Sequence, residues 1–174
     1  MARLRIERFA PQYTVKRLGE ADLAAVMALC QTNPLYYEYY GQPLTPEHLR
    51  EDLTLLPPGK TQEDHYYVGC FEKGTLVALL NLIDGWPGPE TAYIGLFMVD
   101  GRCAGQGRGS ALIEGLCAYL RESGFAAVRL GYYRDNPQAA HFWKKCGFVP
   151  LRECQQEDGV LVLAERSLRE ETDV

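Results

Sequence analysis

The chain has 174 residues, 47% of them hydrophobic and 24% charged, and a formal net charge of −5. That length suits one domain with a sizeable core and is short for two, and the acidic balance leaves no basic excess to displace counterions from a nucleic-acid backbone. No apolar run approaches the roughly 20 residues of a membrane span, so neither nucleic acid nor membrane is an expected partner. Six cysteines (Cys30, Cys70, Cys103, Cys117, Cys146, Cys154) form no C-x-x-C pair, and no apolar leader precedes them, which points to reduced thiols and a cytoplasmic setting. His48, His65 and His141 are not spaced with these cysteines as zinc ligands, so the thiols read as buried apolar residues and no metal is expected.

Residues 1–12 are expected as a loose arm, 13–169 as one domain and 170–174 as a tail. Tyr13 to Leu18 alternates as a strand, and Gly19 to Cys30 places Leu23, Val26, Met27 and Cys30 at helical spacing. The segment NPLYYEYYG, Asn33 to Gly41, follows, and then a short helix from about Pro46 to Leu53 with Thr45 as N-cap. Prolines and glycine make Leu55 to Asp64 a loop. HYYVGCF and TLVALLNLID flank Glu72-Lys73-Gly74 as a hairpin, and Ala92 to Val99 (AYIGLFMV) is a third strand of an antiparallel meander.

Next comes CAGQGRGSALIEGL, where Gly105, Gly107 and Gly109 open a helix that Gly124 closes. AAVRLGYY is a strand parallel to its predecessor if that helix is a crossover. Asn136 and Pro137 start another helix, ending at Gly147, and two strands, Phe148 to Gln155 and Val160 to Arg166, turn at Glu157-Asp158-Gly159.

The glycine loop fails two nucleotide templates. A Walker A loop needs a lysine between Gly109 and Ser110, and a dinucleotide fingerprint needs glycine where Ser110 stands. What remains is a strand, a glycine turn and a helix N-terminus, an arrangement that cradles an anion or simply lets helix and strand pack closely. A second motif, NPQAAHFWKKCGF (Asn136 to Phe148), separates the two. With it the chain resembles the GNAT superfamily of acyl-CoA-dependent N-acetyltransferases. The loop signature Gln/Arg-x-x-Gly-x-Gly/Ala falls on Ala104, Gly105, Gln106, Gly107, Arg108 and Gly109, and the later signature on Asn136, Ala139, Trp143, Gly147 and Phe148.

The resemblance implies a mixed α/β sheet of about seven strands, mostly antiparallel, with helices on both faces and two splayed parallel central strands. It implies acetyl-CoA as co-substrate. Phe97, Met98 and Val99 would hydrogen-bond its pantetheine arm through their backbone, the loop from Gln106 to Ser110 would cradle the pyrophosphate, and Asn136, Ala139, Phe142 and Trp143 would flank the rest, with one of the two aromatic residues in the core. The implied reaction is acetyl transfer to a primary amine, of a small molecule or peptide, by direct attack in a ternary complex. A CoA-binding sensor without transferase activity is the rival reading.

Three departures bear on the chemistry. Ala104 stands where the signature has Gln or Arg, with Arg102 the nearest cation. Trp143 stands where many members have a tyrosine that protonates the thiolate, and an indole N–H is no acid near neutral pH. Tyr93 stands where some members place a glutamate base. Glu90, Asp84 and Glu38 are the carboxylates left for that role, and Tyr132 and Tyr133 are candidates for acid or water anchor. In the tyrosine-rich segment, Tyr36, Tyr37, Glu38 and Tyr40 would line the acceptor site and hold a cationic amine; a packed aromatic cluster or a homodimer contact is the competing use.

Overall fold

A computed structural model of the chain describes residues 4–170. Residues 1–3 of the expected arm and 171–174 of the expected tail lie outside the described residues. The apolar runs from His65 onward resolve into β2 (His65–Glu72), β3 (Thr75–Asp84) and β4 (Thr91–Val99), an antiparallel meander flanked by β1 (Thr14–Arg17). A crossover through α4 (Arg108–Glu122) brings β5 (Ala127–Tyr133) parallel to β4, and the hairpin β6 (Val149–Gln156) and β7 (Gly159–Ser167) completes a seven-stranded sheet in the order β1-β2-β3-β4-β5-β7-β6. This is the mixed, mostly antiparallel sheet expected from the sequence.

Two apolar cores cover the two faces of the sheet. On one, α4 turns Leu112, Ile113, Leu116, Cys117 and Leu120 inward, each contributing about 2 kcal/mol of apolar transfer, and α5 (Pro137–Lys145) adds Trp143. On the other, α1 (Leu23–Gln31) and α3 (Pro46–Asp52) bury Val26, Leu29, Cys30 and Leu49 against Tyr67, Leu79 and Met98. The caps read from the sequence are present: Thr45 Oγ1 accepts from His48 N at 3.2 Å, and Asn136 Oδ1 accepts from Ala139 N at 3.1 Å.

Two segments differ from expectation. Leu4, Ile6, Phe9 and Ala10, read as part of a loose arm, are buried in the α4-side core, because their apolar side chains join that core and the chain passes close to the middle of α4, where a Cβ on Gly115 would lie 2.9 Å from the Phe9 carbonyl oxygen. The tyrosine-rich segment, read as a stretch between helices, is itself a helix, α2 (Pro34–Tyr40), with Pro34 in its first turn and Gly41 in the left-handed conformation at its end.

Candidate active site

β4 and β5 pair only from Thr91↔Ala127 to Ile94↔Leu130, after which β4 continues to Val99 and β5 to Tyr133 without each other. The parting coincides with an irregularity on the other edge of β4. Asn81 pairs with Leu96 while Leu82 pairs with Ile94, leaving Gly95 as a bulge that bends β4 away. Asp100 N donates to Val77 O at 2.8 Å, so strand alternation turns the backbone polar groups of Met98 toward β3 and those of Phe97 and Val99 toward the opening. Of the three residues expected to bind pantetheine through their backbone, Met98 is therefore already committed to the β3 ladder. Asn33 Nδ2 donates to Val99 O at 3.0 Å, at the rim of the opening.

Beyond Val99 the chain makes a tight turn. Asp100 is buried and accepts from the Arg102 guanidinium at 2.6 Å, a contact that holds its carboxyl below the usual carboxylate range. Gly101 N donates to Thr32 Oγ1 at 2.8 Å, and a Cβ on Gly101 would meet Thr32 O at 2.0 Å, so only glycine allows this approach between the turn and the end of α1. Gly105 and Gly107 have φ of +80° and +73°, with nothing within 4 Å of where a Cβ would stand. Both glycines are thus needed for backbone conformation and leave the space over the loop free.

The first intrahelical bond of α4 runs from Ala111 N to Gly107 O, so the N–H groups of Arg108, Gly109 and Ser110 precede it and face the loop. Arg102 pairs with Asp100, and Arg108 with Glu72 at 3.1 Å. Capacity for an anion therefore rests mainly on the loop N–H groups and the α4 dipole. Ala104 and Gln106 sit within this turn, and the Ser110 hydroxyl lies near the Cys146 thiol. An unpaired strand edge leading into a free anion cradle fits an extended pantetheine arm and its pyrophosphate.

The aromatic pair on α5 divides between the core and a partly exposed position. Trp143 packs in the core against Phe148, at 5.3 Å between ring centroids, and is too buried to flank a cofactor. Phe142 is partly exposed, stacks on Phe97 at 6.1 Å and touches the start of α4, where a Cβ on Gly109 would be 3.2 Å from its ring. Asn136 is buried as the α5 cap, and Ala139 is half-buried beside it.

On the opposite face of the sheet a cavity of about 340 Å³ lies beside the Gly95 bulge. Tyr36, Tyr37 and Tyr40 of α2 form one wall, His48 and Asp52 of α3 another, and Trp86, Tyr93, Gly95 and Leu96 border the β4 side. Tyr36 and Tyr40 stack at 5.5 Å, and Tyr37 packs edge-on against Tyr36 at 4.9 Å with its hydroxyl near the Cys30 thiol. Burial raises the pKa of all three phenols, so they are neutral dipoles at neutral pH. His65 is buried, which lowers its pKa, and its Nε2 lies 2.8 Å from Asn81 Oδ1, orienting the amide that lines the cavity. Asp52 is the carboxylate of this lining. Burial pushes its carboxyl up to about 6, with His48 beside it pulling the other way.

The expected proton-handling residues fall elsewhere. Glu90 precedes β4 at the end paired with β5, is exposed, and pairs with Arg169 at 3.0 Å. Glu38 is exposed on the α2 face away from the cavity, because helical geometry groups Tyr36, Tyr37 and Tyr40 and turns Glu38 outward. Tyr133 donates to Asp158 Oδ2 at 3.0 Å and packs edge-on against Tyr40 at 6.4 Å. Burial and that hydrogen bond raise its phenol to about 12, a poor match for protonating a thiolate. Tyr132 packs against the α4-side core, Tyr93 stacks edge-on with Trp86 at 4.8 Å, and Asp84 is buried at a separate recess with Lys60 and Asp64. Cys70 and Cys117 are buried thiols raised to about 12 and about 11, unsuited to nucleophilic catalysis.

Sequence reasoning missed Asp52. Its signal was spacing, since it lies one helical turn beyond His48 and three residues beyond Leu49, on the inner face of a short helix.

A model of the Acetyltransferase (GNAT) family matches residues 26–148. None of the curated proteins matches the chain. Among solved structures, an acetyltransferase from Thermus thermophilus is similar at 22% identity with a TM-score of 0.71, over 88% of this chain and 95% of that one. Ard1 from Thermoplasma volcanium is similar at 23% identity and TM-score 0.67, over 90% and 98%. PaiA N-acetyltransferase from Thermoplasma acidophilum, solved in complex with coenzyme A, is similar at 16% identity and TM-score 0.64, over 88% and 97%. At these identities the structural likeness is one of fold. The family match spans more than half of the chain, and the chain belongs to the acetyltransferase (GNAT) family.

Proposed function

We propose that the chain transfers the acetyl group of acetyl-CoA to a primary amine by direct attack in a ternary complex. The observation that carries this reading is the split between β4 and β5: the anion cradle at α4 lies on one side of it, and the tyrosine-walled cavity meets it at Gly95 on the other. Acetyl-CoA supplies an activated thioester. The backbone of Phe97 and Val99 would hold the pantetheine arm as an added strand does, and the N–H groups of Gly107 to Ser110 the pyrophosphate, while Phe142 walls the same side. Bringing both partners to one opening turns a bimolecular encounter into an oriented one.

The attacking amine must shed a proton, and Asp52 is the lining carboxylate placed to receive it, directly or through water. The departing thiol has a free pKa of about 8.5, so it leaves without a dedicated acid, consistent with Trp143 in the core and Tyr133 held by Asp158.

The test is incubation with acetyl-CoA and a panel of amines, reading released thiol, alongside calorimetric titration with CoA. Thiol release above the hydrolysis background with at least one amine is expected. Tight CoA binding with silence across the panel would overturn the transferase reading in favour of a CoA-binding protein.

A further inference from the structure

The lining of the cavity restricts what amine it accepts. Its aromatic wall comes from α2, Tyr93 and Trp86, and the rest is mostly aliphatic, with Leu49 and Ile83 among it. The ionisable groups other than tyrosine in this lining are Asp52 and His48, and among the described residues no Lys or Arg lines it. An acceptor carboxylate or phosphate would thus meet a carboxylate with no lysine or arginine to offset it, whereas an ammonium would meet Asp52 and the aromatic wall.

The surroundings of Asp52 point the same way. It shares the cavity lining with His48 of its own helix and Tyr36 and Tyr40 of α2, and Glu51, Cys30 of α1 and Tyr67 of β2 lie within electrostatic range of it. Among the described residues the buried Tyr67 hydroxyl has no hydrogen-bond partner. Asp52 is a half-buried carboxylate among neutral phenols with no lysine or arginine in the lining, and partial burial raises its pKa. A bound ammonium supplies the positive charge. A second ammonium, as in a polyamine, would find no second carboxylate in the lining.

We propose that the acceptor is a small primary monoamine with an aromatic or aliphatic body and no carboxylate, held by an ion pair with Asp52 inside the tyrosine-walled cavity. This rests on the transferase reading, and it assigns Asp52 as the residue that determines acceptor specificity.

The experiment separates binding from transfer. Trp86 borders the cavity, while Trp143, the second of the two tryptophans, is in the core, so indole fluorescence reports occupancy with CoA present and no turnover required. The probes are 2-phenylethylamine, L-phenylalanine, L-phenylalaninamide and spermidine, each also assayed for thiol release from acetyl-CoA. Expected are saturable binding of 2-phenylethylamine, binding of L-phenylalanine weaker by about a hundredfold, as like charges brought together require, and recovery with the amide. Asp52→Asn should weaken 2-phenylethylamine by about tenfold to a hundredfold and raise its KM, with CoA affinity unchanged as the control for folding. The wild-type affinity should rise from pH 5 to 7 as Asp52 ionises, and that rise should vanish in Asp52→Asn.

Failure of 2-phenylethylamine to bind, tighter binding of L-phenylalanine or spermidine, or an Asp52→Asn variant with unchanged affinity would each overturn the assignment. Selective amine binding without thiol release would instead uphold the cavity's specificity and overturn the transferase reading.

Discussion

Gly101→Ala tests the joint that holds the two halves of the site together. A Cβ at this position would lie 2.0 Å from Thr32 O, where ordinary contact begins at 3.4 Å, so the turn and the end of α1 must part by about 1.4 Å. The opposing atom is backbone, which no rotamer change can move aside. That displacement carries the Gly101 N to Thr32 Oγ1 bond, now 2.8 Å, beyond hydrogen-bonding range and strains the Asn33 contact to Val99 O. Overpacking of a fitted junction costs about 1 to 3 kcal/mol, and the lost hydrogen bond about 1 more, so about 3 kcal/mol is expected in urea unfolding with an unchanged denaturant slope. Thr32→Ala, which removes the hydroxyl and leaves the space, should cost about 1 kcal/mol. Because the joint connects α2 to the strand end at Val99, surviving Gly101→Ala protein should bind both CoA and amine more weakly. A Gly101→Ala variant within 1 kcal/mol of wild type would refute the claim that this contact is rigid.

Gly107→Glu should abolish CoA binding in calorimetry while the protein stays folded, since the space over the loop is free and the new carboxylate repels a pyrophosphate; the left-handed φ of +73° itself costs about 1 kcal/mol. Glu38→Gln and Glu90→Gln should each keep the rate of thiol release within about twofold of wild type from pH 6 to 9, because neither side chain lines the cavity and surface changes of this kind are near neutral. Asp100, whose folded pKa is depressed by Arg102, stabilises the fold above the unfolded carboxylate value, and this contribution is lost as pH falls through its lower folded pKa; thermal melts of Asp100→Asn should show less loss on acidification than wild type. Asp52 has the opposite sign: its folded pKa of about 6 means the folded state holds an extra proton between about pH 4 and 6, so its ionisation opposes folding at higher pH, by at most about 3 kcal/mol. Asp52→Asn should accordingly gain stability at pH 8 relative to wild type and show little gain at pH 4.

The scaffold was legible because its signals are local. Apolar runs parted by the Glu72-Lys73-Gly74 turn mark β2 and β3, with a third run for β4, Asn136 and Pro137 mark the start of α5, and Gly105 and Gly107 sit where backbone φ is positive. The helix at Pro34–Tyr40 carried its own brackets, a proline in the first turn and a glycine at the end, but aromatic residues are indifferent helix formers and drew attention to their chemistry. Glu38 then stood out as the carboxylate among tyrosines, although helical spacing turns it away from them. Asp52 could not be singled out by the same means, since an acidic residue at the end of a short amphipathic helix is ordinarily solvated. What buries it is the arrival of α2, from earlier in the chain, and of Trp86 beside β4, neither of which a local pattern contains. The direction of the Met98 backbone groups is not local either: it depends on which edge of β4 faces β3, and the register fixes that only once both strands are paired.

The division of labour across the sheet explains why the site tolerates so unfavourable a carboxylate. Residues on the proposed cofactor side are stabilised within the protein itself, with Asp100 paired to Arg102 and Arg108 to Glu72, so the glycine loop is held in shape without a ligand. The proposed acceptor side is left incomplete: Asp52 is half-buried with no lysine or arginine in the cavity lining, and the Tyr67 hydroxyl has no hydrogen-bond partner among the described residues. Groups satisfied in the empty protein would gain nothing from a cation, whereas groups held short of satisfaction gain when one binds. Specificity of this kind requires the surrounding shell to stay rigid, because a wall free to relax would let water or His48 satisfy Asp52 instead. The stacked tyrosines of α2 and the glycine joint at Thr32 supply that rigidity, which is why a single methyl group at Gly101, remote from any charge, is expected to loosen both halves of the site.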